Sequence, residues 1–80
     1  MYFVYILQSE SDKTQFYYGR TRDLKARIHT HNSGQSPHTA KYKPWKIIWY
    51  SCFLSDERAQ DFEKYLKTAS GKAFLRKRLL

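Results

Sequence analysis

Eighty residues predict one small domain, spanning 1–80, of a size that buries only about 60% of its unfolded surface, with no room for a large enclosed pocket. Seven tyrosines, five phenylalanines and two tryptophans offset that by supplying large area per residue, and a net charge of +8 with a pI near 9.8 favours polyanions, nucleic acid first and anionic membrane surface second. No apolar run approaches the ~20 residues that span a bilayer, no signal-peptide layout opens the chain, and the single cysteine, Cys52, excludes an internal disulfide, which together predict a cytoplasmic protein.

The first strand is predicted over Tyr2 to Gln8. Phe3, Tyr5 and Leu7 share one face and Tyr2, Val4 and Ile6 the other, so a strand apolar on both faces belongs at the centre of a sheet. The polar run Ser9 to Thr14 reads as a hairpin loop, and a second strand, Gln15 to Arg20, returns antiparallel with Tyr17 and Gly19 on one face. Tyr5 and Tyr17 are candidate near cross-strand neighbours, with the register left open by the loop.

A helix follows from near Asp23 to Gly34. With Leu24 as the origin, Ile28 falls at roughly 40°, His31 at roughly 340° and Arg27 at roughly 300°, from the 3.6-residue turn. Leu24 and Ile28 are core contacts, and Arg27 and His31 lie along the same stripe one turn apart. Arg27 either covers the sheet with its alkyl stem or meets a partner, because a cation at an apolar border is costly alone. His29 and His31 point to different sides and cannot share a metal.

The segment Gln35 to Trp45 reads as a loop bounded by Pro37 and Pro44, carrying His38, Lys41 and Lys43 around Tyr42. It is either a solvated connection or a phosphate-gripping loop. The third strand is Lys46 to Phe53, in which Cys52 is expected to be a small buried apolar residue. Ser55 is a good N-cap for a helix from about Asp56 to Lys67, with Asp56 and Glu57 suiting the first-turn dipole. On that helix Glu63 is the one carboxylate beside the apolar stripe of Ala59, Phe62 and Leu66, and an i,i+4 pair with Lys67 is the simplest account of it. Ser70 and Gly71 are expected to break the chain before a third, basic helix, Lys72 to Leu80.

The chain has no P-loop, no glycine-rich dinucleotide turn and no CxxC. Tyrosine, arginine, histidine and one inward glutamate suit phosphodiester cleavage with a hard metal ion. Mg²⁺ accepts a single carboxylate because it keeps most of its waters and takes other contacts from phosphate. An arginine beside it neutralises charge growing on the phosphorane oxygens.

With Phe3-Val4-Tyr5 on the first strand, Tyr17-Tyr18-Gly19 on the second, the run Thr21-Arg22-Asp23-Leu24-Lys25-Ala26-Arg27, then His31-Asn32 and Glu63 to Lys67, the chain resembles the GIY-YIG nuclease superfamily. It is most similar to the small stand-alone members. Phe3 stands where the first motif has glycine, and Tyr18 where the second has isoleucine. The resemblance implies an α+β fold: a three-stranded antiparallel sheet flanked by helices, in the order β-β-α-β-α-α. It implies that Tyr5 and Tyr17 are paired, one assisting the attacking water, that Arg27 stabilises the transition state and that His31 contacts phosphate or tunes a tyrosine. Glu63 would bind Mg²⁺, with Mn²⁺ as a substitute, and Gly19 would permit close approach. With Arg20, Arg22, Lys41 and Lys43 as further nucleic-acid contacts, the expectation is a Mg²⁺-dependent endonuclease, monomer or weak dimer. It acts on DNA before RNA and reads shape rather than a long site. The alternatives are a non-catalytic nucleic-acid-binding module on the same fold and a small interaction domain for an acidic or ribonucleoprotein partner.

Overall fold

Strand β1 (Tyr2–Ser9) supports everything else in the structure, a computed structural model that describes residues 1–80. It lies between β2 (Phe16–Thr21) and β3 (Trp45–Phe53), antiparallel to both, in the order β2-β1-β3. Its double apolar face requires that central place, and Val4, Tyr5, Ile6 and Leu7 are all buried.

Two cores form, one on each face. Val4 and Ile6 meet Ala59 and Leu66 of α3 (Asp56–Leu66) and Leu75 of α4 (Ala69–Arg78), with Trp49, Phe53, Phe62 and Phe74 around them. Tyr5 and Leu7 meet Trp45, with Tyr17, Ile47, and Leu24 and Ile28 of α1 (Leu24–Ser33). Each fully buried aliphatic side chain here contributes roughly 1.5–3 kcal/mol. A register shift between Ile6 and Leu7 lets β3 present Trp49 to one core and Ile47 to the other.

The expected element order stands, with one addition. The segment between α1 and β3 contains a short helix, α2 (Pro37–Ala40), where a loop is expected. Ser36 at its N-cap position and Pro37 at its first turn are the local signals for it.

Three other expectations need correction. Ser70 and Gly71 do not break the chain. Thr68 is the N-cap of α4, accepting from the Gly71 amide, so both residues lie in its first turn. Gly71 is buried where a Cβ would collide with the Tyr65 carbonyl and the Leu66 backbone, so it is there to let α4 approach the end of α3. Cys52 is exposed rather than buried, because it follows the β1 register opposite Phe3 onto the uncovered end of the sheet, where its thiol lies 3.2 Å from the Met1 sulfur. Ser9, expected in the loop, is a buried strand residue whose hydroxyl donates to the Tyr42 carbonyl and accepts from the Asp12 amide, tying the hairpin to the segment after α2. No helix is long and apolar enough to cross a membrane.

Candidate active site

Gly19 sits directly opposite Tyr5 in the β1–β2 register. A Cβ there would fall inside the tip of the Tyr5 ring, so the glycine is the gap through which that ring crosses β2. Tyr17, two residues earlier on the same face, lies diagonally from Tyr5 with ring centroids 6.2 Å apart. The expected pairing of these tyrosines is present as a diagonal rather than a direct cross-strand pair.

Helix α1 brings the other groups. Asp23 caps it, its carboxylate accepting from the Ala26 amide, and Thr21 steadies the turn by bonding the Asp23 backbone. His31 is the only fully buried residue of α1. Its Nε2 is 3.1 Å from the Tyr5 hydroxyl and its Nδ1 2.9 Å from Thr39 Oγ1, while its ring stands 4.5 Å from that of Tyr17. The Thr39 hydroxyl is directed at the Ser36 carbonyl, at 3.4 Å, and so donates there. Thr39 then accepts from His31 Nδ1–H, which leaves the Nε2 lone pair to accept from Tyr5 O–H.

The electrostatics agree with that chain of donors. Burial pushes the Tyr5 phenol above its ordinary pKa of 10.0, outweighing the Arg27 guanidinium beside it. Burial, and then Arg27, hold His31 below its ordinary 6.5. At neutral pH Tyr5 carries its proton and His31 Nε2 is free to take one. Arg27 is half-buried beside both tyrosines, and its Nε is buried without a hydrogen-bond partner. A buried donor of that kind is costly and awaits an acceptor.

Glu63 lies on the far side of β2. Helix α3 packs on the Val4–Ile6 face, opposite the tyrosines, and Arg20 points to that same face. Arg20 Nε is 3.1 Å from Asp56 Oδ1 and its Nη1 3.8 Å from Glu63 Oε1, so Arg20 binds carboxylates where a phosphate contact is expected. Lys67 Nζ is 3.3 Å from Glu63 Oε2, the i,i+4 pair the helix spacing predicts. Because β2 is an edge strand, the Glu63 charge still reaches Tyr5 and adds to the rise of its pKa.

The remaining predicted contacts lie farther out. Arg22 is exposed, its guanidinium 5.0 Å above the Tyr2 ring. Lys41 is exposed, its ammonium 5.4 Å above Tyr42, and Lys43 is exposed beside Gly34 at the end of α1. No group of three or more His, Cys, Asp or Glu side chains converges to cage a metal. A lone carboxylate fits a hard cation such as Mg²⁺ completed by water and phosphate oxygens, and does not fit a site built of protein ligands alone.

Two positioning residues escape sequence reasoning. Thr39 is 1% exposed on a helix the sequence presents as loop, and it sets the His31 tautomer. Asn32 clasps the Trp45 backbone, accepting from its amide and donating to its carbonyl at 3.0 Å, which locks β3 to α1. The Pro37 turn was the available signal for the first. Asn32 stands in the motif run beside His31, but its clasp was not legible there, since its partner is backbone.

The GIY-YIG catalytic domain description matches residues 1–78. The UPF0213 proteins SpyM50708 and SpyM3_1077 of Streptococcus pyogenes (strains Manfredo and MGAS315) are each 38% identical over 66 residues, 81% of this chain and 70% of theirs. The solution structure of the UPF0213 protein BH0048 from Bacillus halodurans is 32% identical and superposes with a TM-score of 0.55, covering 94% of this chain and 82% of that one. The chain belongs to the GIY-YIG family of nuclease-type catalytic domains.

Proposed function

We infer that this protein is a Mg²⁺-dependent endonuclease that hydrolyses phosphodiester bonds of DNA and selects its substrate by structure. The observation that carries the reading is the ordered path Tyr5 O–H to His31 Nε2, with Nδ1 anchored on Thr39. A neutral phenol with a raised pKa is a weak base by itself. It becomes an effective one when its own proton has an acceptor. Tyr5 takes a proton from the attacking water as it passes its proton to His31, so no phenolate has to accumulate. Tyr17 encloses the pair and limits bulk water. Arg27 turns its unpartnered Nε to a non-bridging phosphate oxygen, and its charge opposes the negative charge that grows there. Glu63 would hold Mg²⁺ at the rim of β2, with Lys67 released from its pair, and the ion would supply Lewis-acid stabilisation of the phosphorane. Net charge and small size favour a substrate recognised by shape and backbone.

A second reading has one observation in its favour. Glu63 is already engaged by Arg20 and Lys67, as suits a module that binds nucleic acid without cutting it. Turnover separates the two. The purified protein is incubated with duplex, single-stranded, flap and junction DNA, and RNA, with and without Mg²⁺, beside Tyr5→Phe. Mg²⁺-dependent cleavage that Tyr5→Phe loses supports the nuclease. Binding without cleavage of any substrate moves the second reading ahead.

A further inference from the structure

The sheet face that carries Tyr5 is covered at one end only. Helix α1, Tyr42 and Trp45 pack over Tyr5, Leu7, Tyr17 and Ile47. The other end presents Phe3 on β1 and Tyr50 on β3, and neither ring belongs to either core. The β1–β3 register sets Tyr50 directly opposite Tyr5 and Cys52 opposite Phe3, which makes Phe3 and Tyr50 diagonal neighbours on one face. Their ring centroids are 6.2 Å apart at 63°, an edge-to-face pair. Tyr50 is 55% exposed, so the pair presents adjacent aromatic rings to solvent on an open stretch of the sheet.

Two features say what covers it. The first is charge. Between Asp23 and Asp56 the chain contains no acidic residue, while α1 and the segment after α2 carry Lys25, Arg27, Lys41 and Lys43. None of the three strands holds a carboxylate, and four of the acids are gathered on α3, behind the sheet. A polyanionic strand laid over this face passes Asp23 at the N-cap of α1 and feels Glu63 from behind β2, and otherwise meets cations. The second is position. Neighbouring strands lie about 4.8 Å apart, and successive nucleotides of a stacked strand about 3.4 Å. The Tyr5 ring leans across β2, so its tip and Tyr50 on β3 are separated by about two strand spacings, roughly 10 Å or about three nucleotide steps. Exposed aromatics on a sheet are a general means of holding unpaired bases, which stack on them whatever their identity.

We propose that Phe3 and Tyr50 form a stacking platform for an unpaired base of the strand whose phosphate lies at Tyr5 and Arg27. The site then takes single-stranded or flapped nucleic acid in preference to continuous duplex, whose bases are already stacked. The platform rests on the nuclease reading of the neighbouring site, and binding tests it apart from catalysis.

The experiment measures equilibrium binding without divalent cation, using a fluorescent single-stranded DNA oligonucleotide, a blunt duplex, and a single strand containing 2-aminopurine. The proteins are wild type, Tyr50→Ala and Tyr50→Trp, each checked by thermal melting. Loss of one stacked base predicts that Tyr50→Ala weakens single-strand binding about tenfold. Duplex affinity changes by less than about twofold, the 2-aminopurine quench is lost, and Tyr50→Trp restores both. Unchanged single-strand affinity in Tyr50→Ala, or an equal loss on both substrates, overturns the platform. Cleavage with Mg²⁺ is scored separately. A wild type that binds single strands through Tyr50 but cuts nothing removes the nuclease reading and supports the platform. A wild type that cuts flaps while Tyr50→Ala binds them normally removes the platform alone.

Discussion

Thr39 shows how far one side chain sets the chemistry of another. It accepts the His31 Nδ1 proton, and without it the buried imidazole has no reason to keep Nε2 unprotonated toward Tyr5. Thr39→Val keeps the shape and strands the N–H, so denaturant melts should show a loss of roughly 1–3 kcal/mol, and the cleavage rate should fall further than folding explains. His31 also makes stability depend on pH. Its native pKa lies below 6.5, so the unfolded chain takes the proton first as pH falls. The His31 contribution is complete above about pH 6.5 and is lost on the acid side. Tyr5, shifted upward, acts at the other end: its contribution is complete below 10.0 and declines as pH rises past it. Melting temperature against pH should therefore slope less between neutrality and pH 5 in His31→Gln than in wild type. Arg27 is tested by rate. Arg27→Ala should slow cleavage by ~10²-fold, the scale for losing one transition-state donor, with little change in affinity, and exposed Arg22→Ala should do the reverse. Equal effects of the two substitutions would reduce Arg27 to one more surface cation.

Helix α3 holds its carboxylate by ordinary means. Ser55 caps it, accepting from the Arg58 amide, and Ala59, Phe62 and Leu66 hold its inner face to β1. Glu63 emerges from that face 18% exposed, between Arg20 and Lys67. If those pairs are its whole role, Glu63→Gln changes stability by a few tenths of a kcal/mol and nothing else. Under the metal reading, Glu63→Gln keeps the melt but loses most Mg²⁺-dependent cleavage, while metal-free DNA binding persists. Glu57→Gln on the same helix is the control. A folded Glu63→Gln protein with the wild-type Mg²⁺ dependence would sink the metal assignment. The junction of α3 with α4 makes its own prediction. Gly71→Ala forces a methyl group onto the Leu66 backbone, and melts should show a loss of about 1–3 kcal/mol.

Across the whole molecule the charge is uneven as well as large. Acids collect on α3 and the hairpin loop, and cations extend over α1, the Lys41–Lys43 segment and α4. The cations of α1 and the Lys41–Lys43 segment steer a polyanion toward the tyrosine face, while those of α4 lie on the other side of the sheet. DNA affinity should fall linearly on a plot of log affinity against log salt, because each phosphate contact releases counterions. An affinity flat from low to high salt would remove a nucleic-acid role of any kind.

The sequence alone determined the three strands, the start of α1 near Asp23, the Ser55 N-cap of α3 and the family motifs, because these are local. Period-two alternation put Tyr5 and Leu7 on one face of β1 and Val4 and Ile6 on the other, and helical spacing put Arg27 and His31 beside Leu24 and Ile28. Tertiary structure decided what each polar group meets. Thr39 reaches His31 only because α2 folds back over α1, and Asn32 holds the Trp45 backbone, which has no residue signature. Arg20 and Glu63 belong to the face away from the tyrosines, and no local pattern tells which side of an edge strand a distant helix will cover. The same holds for Phe3 and Tyr50, which alternate like core residues and are left uncovered because α1 runs from the β2 edge beside Thr21 to Trp45 at the opposite end of β3.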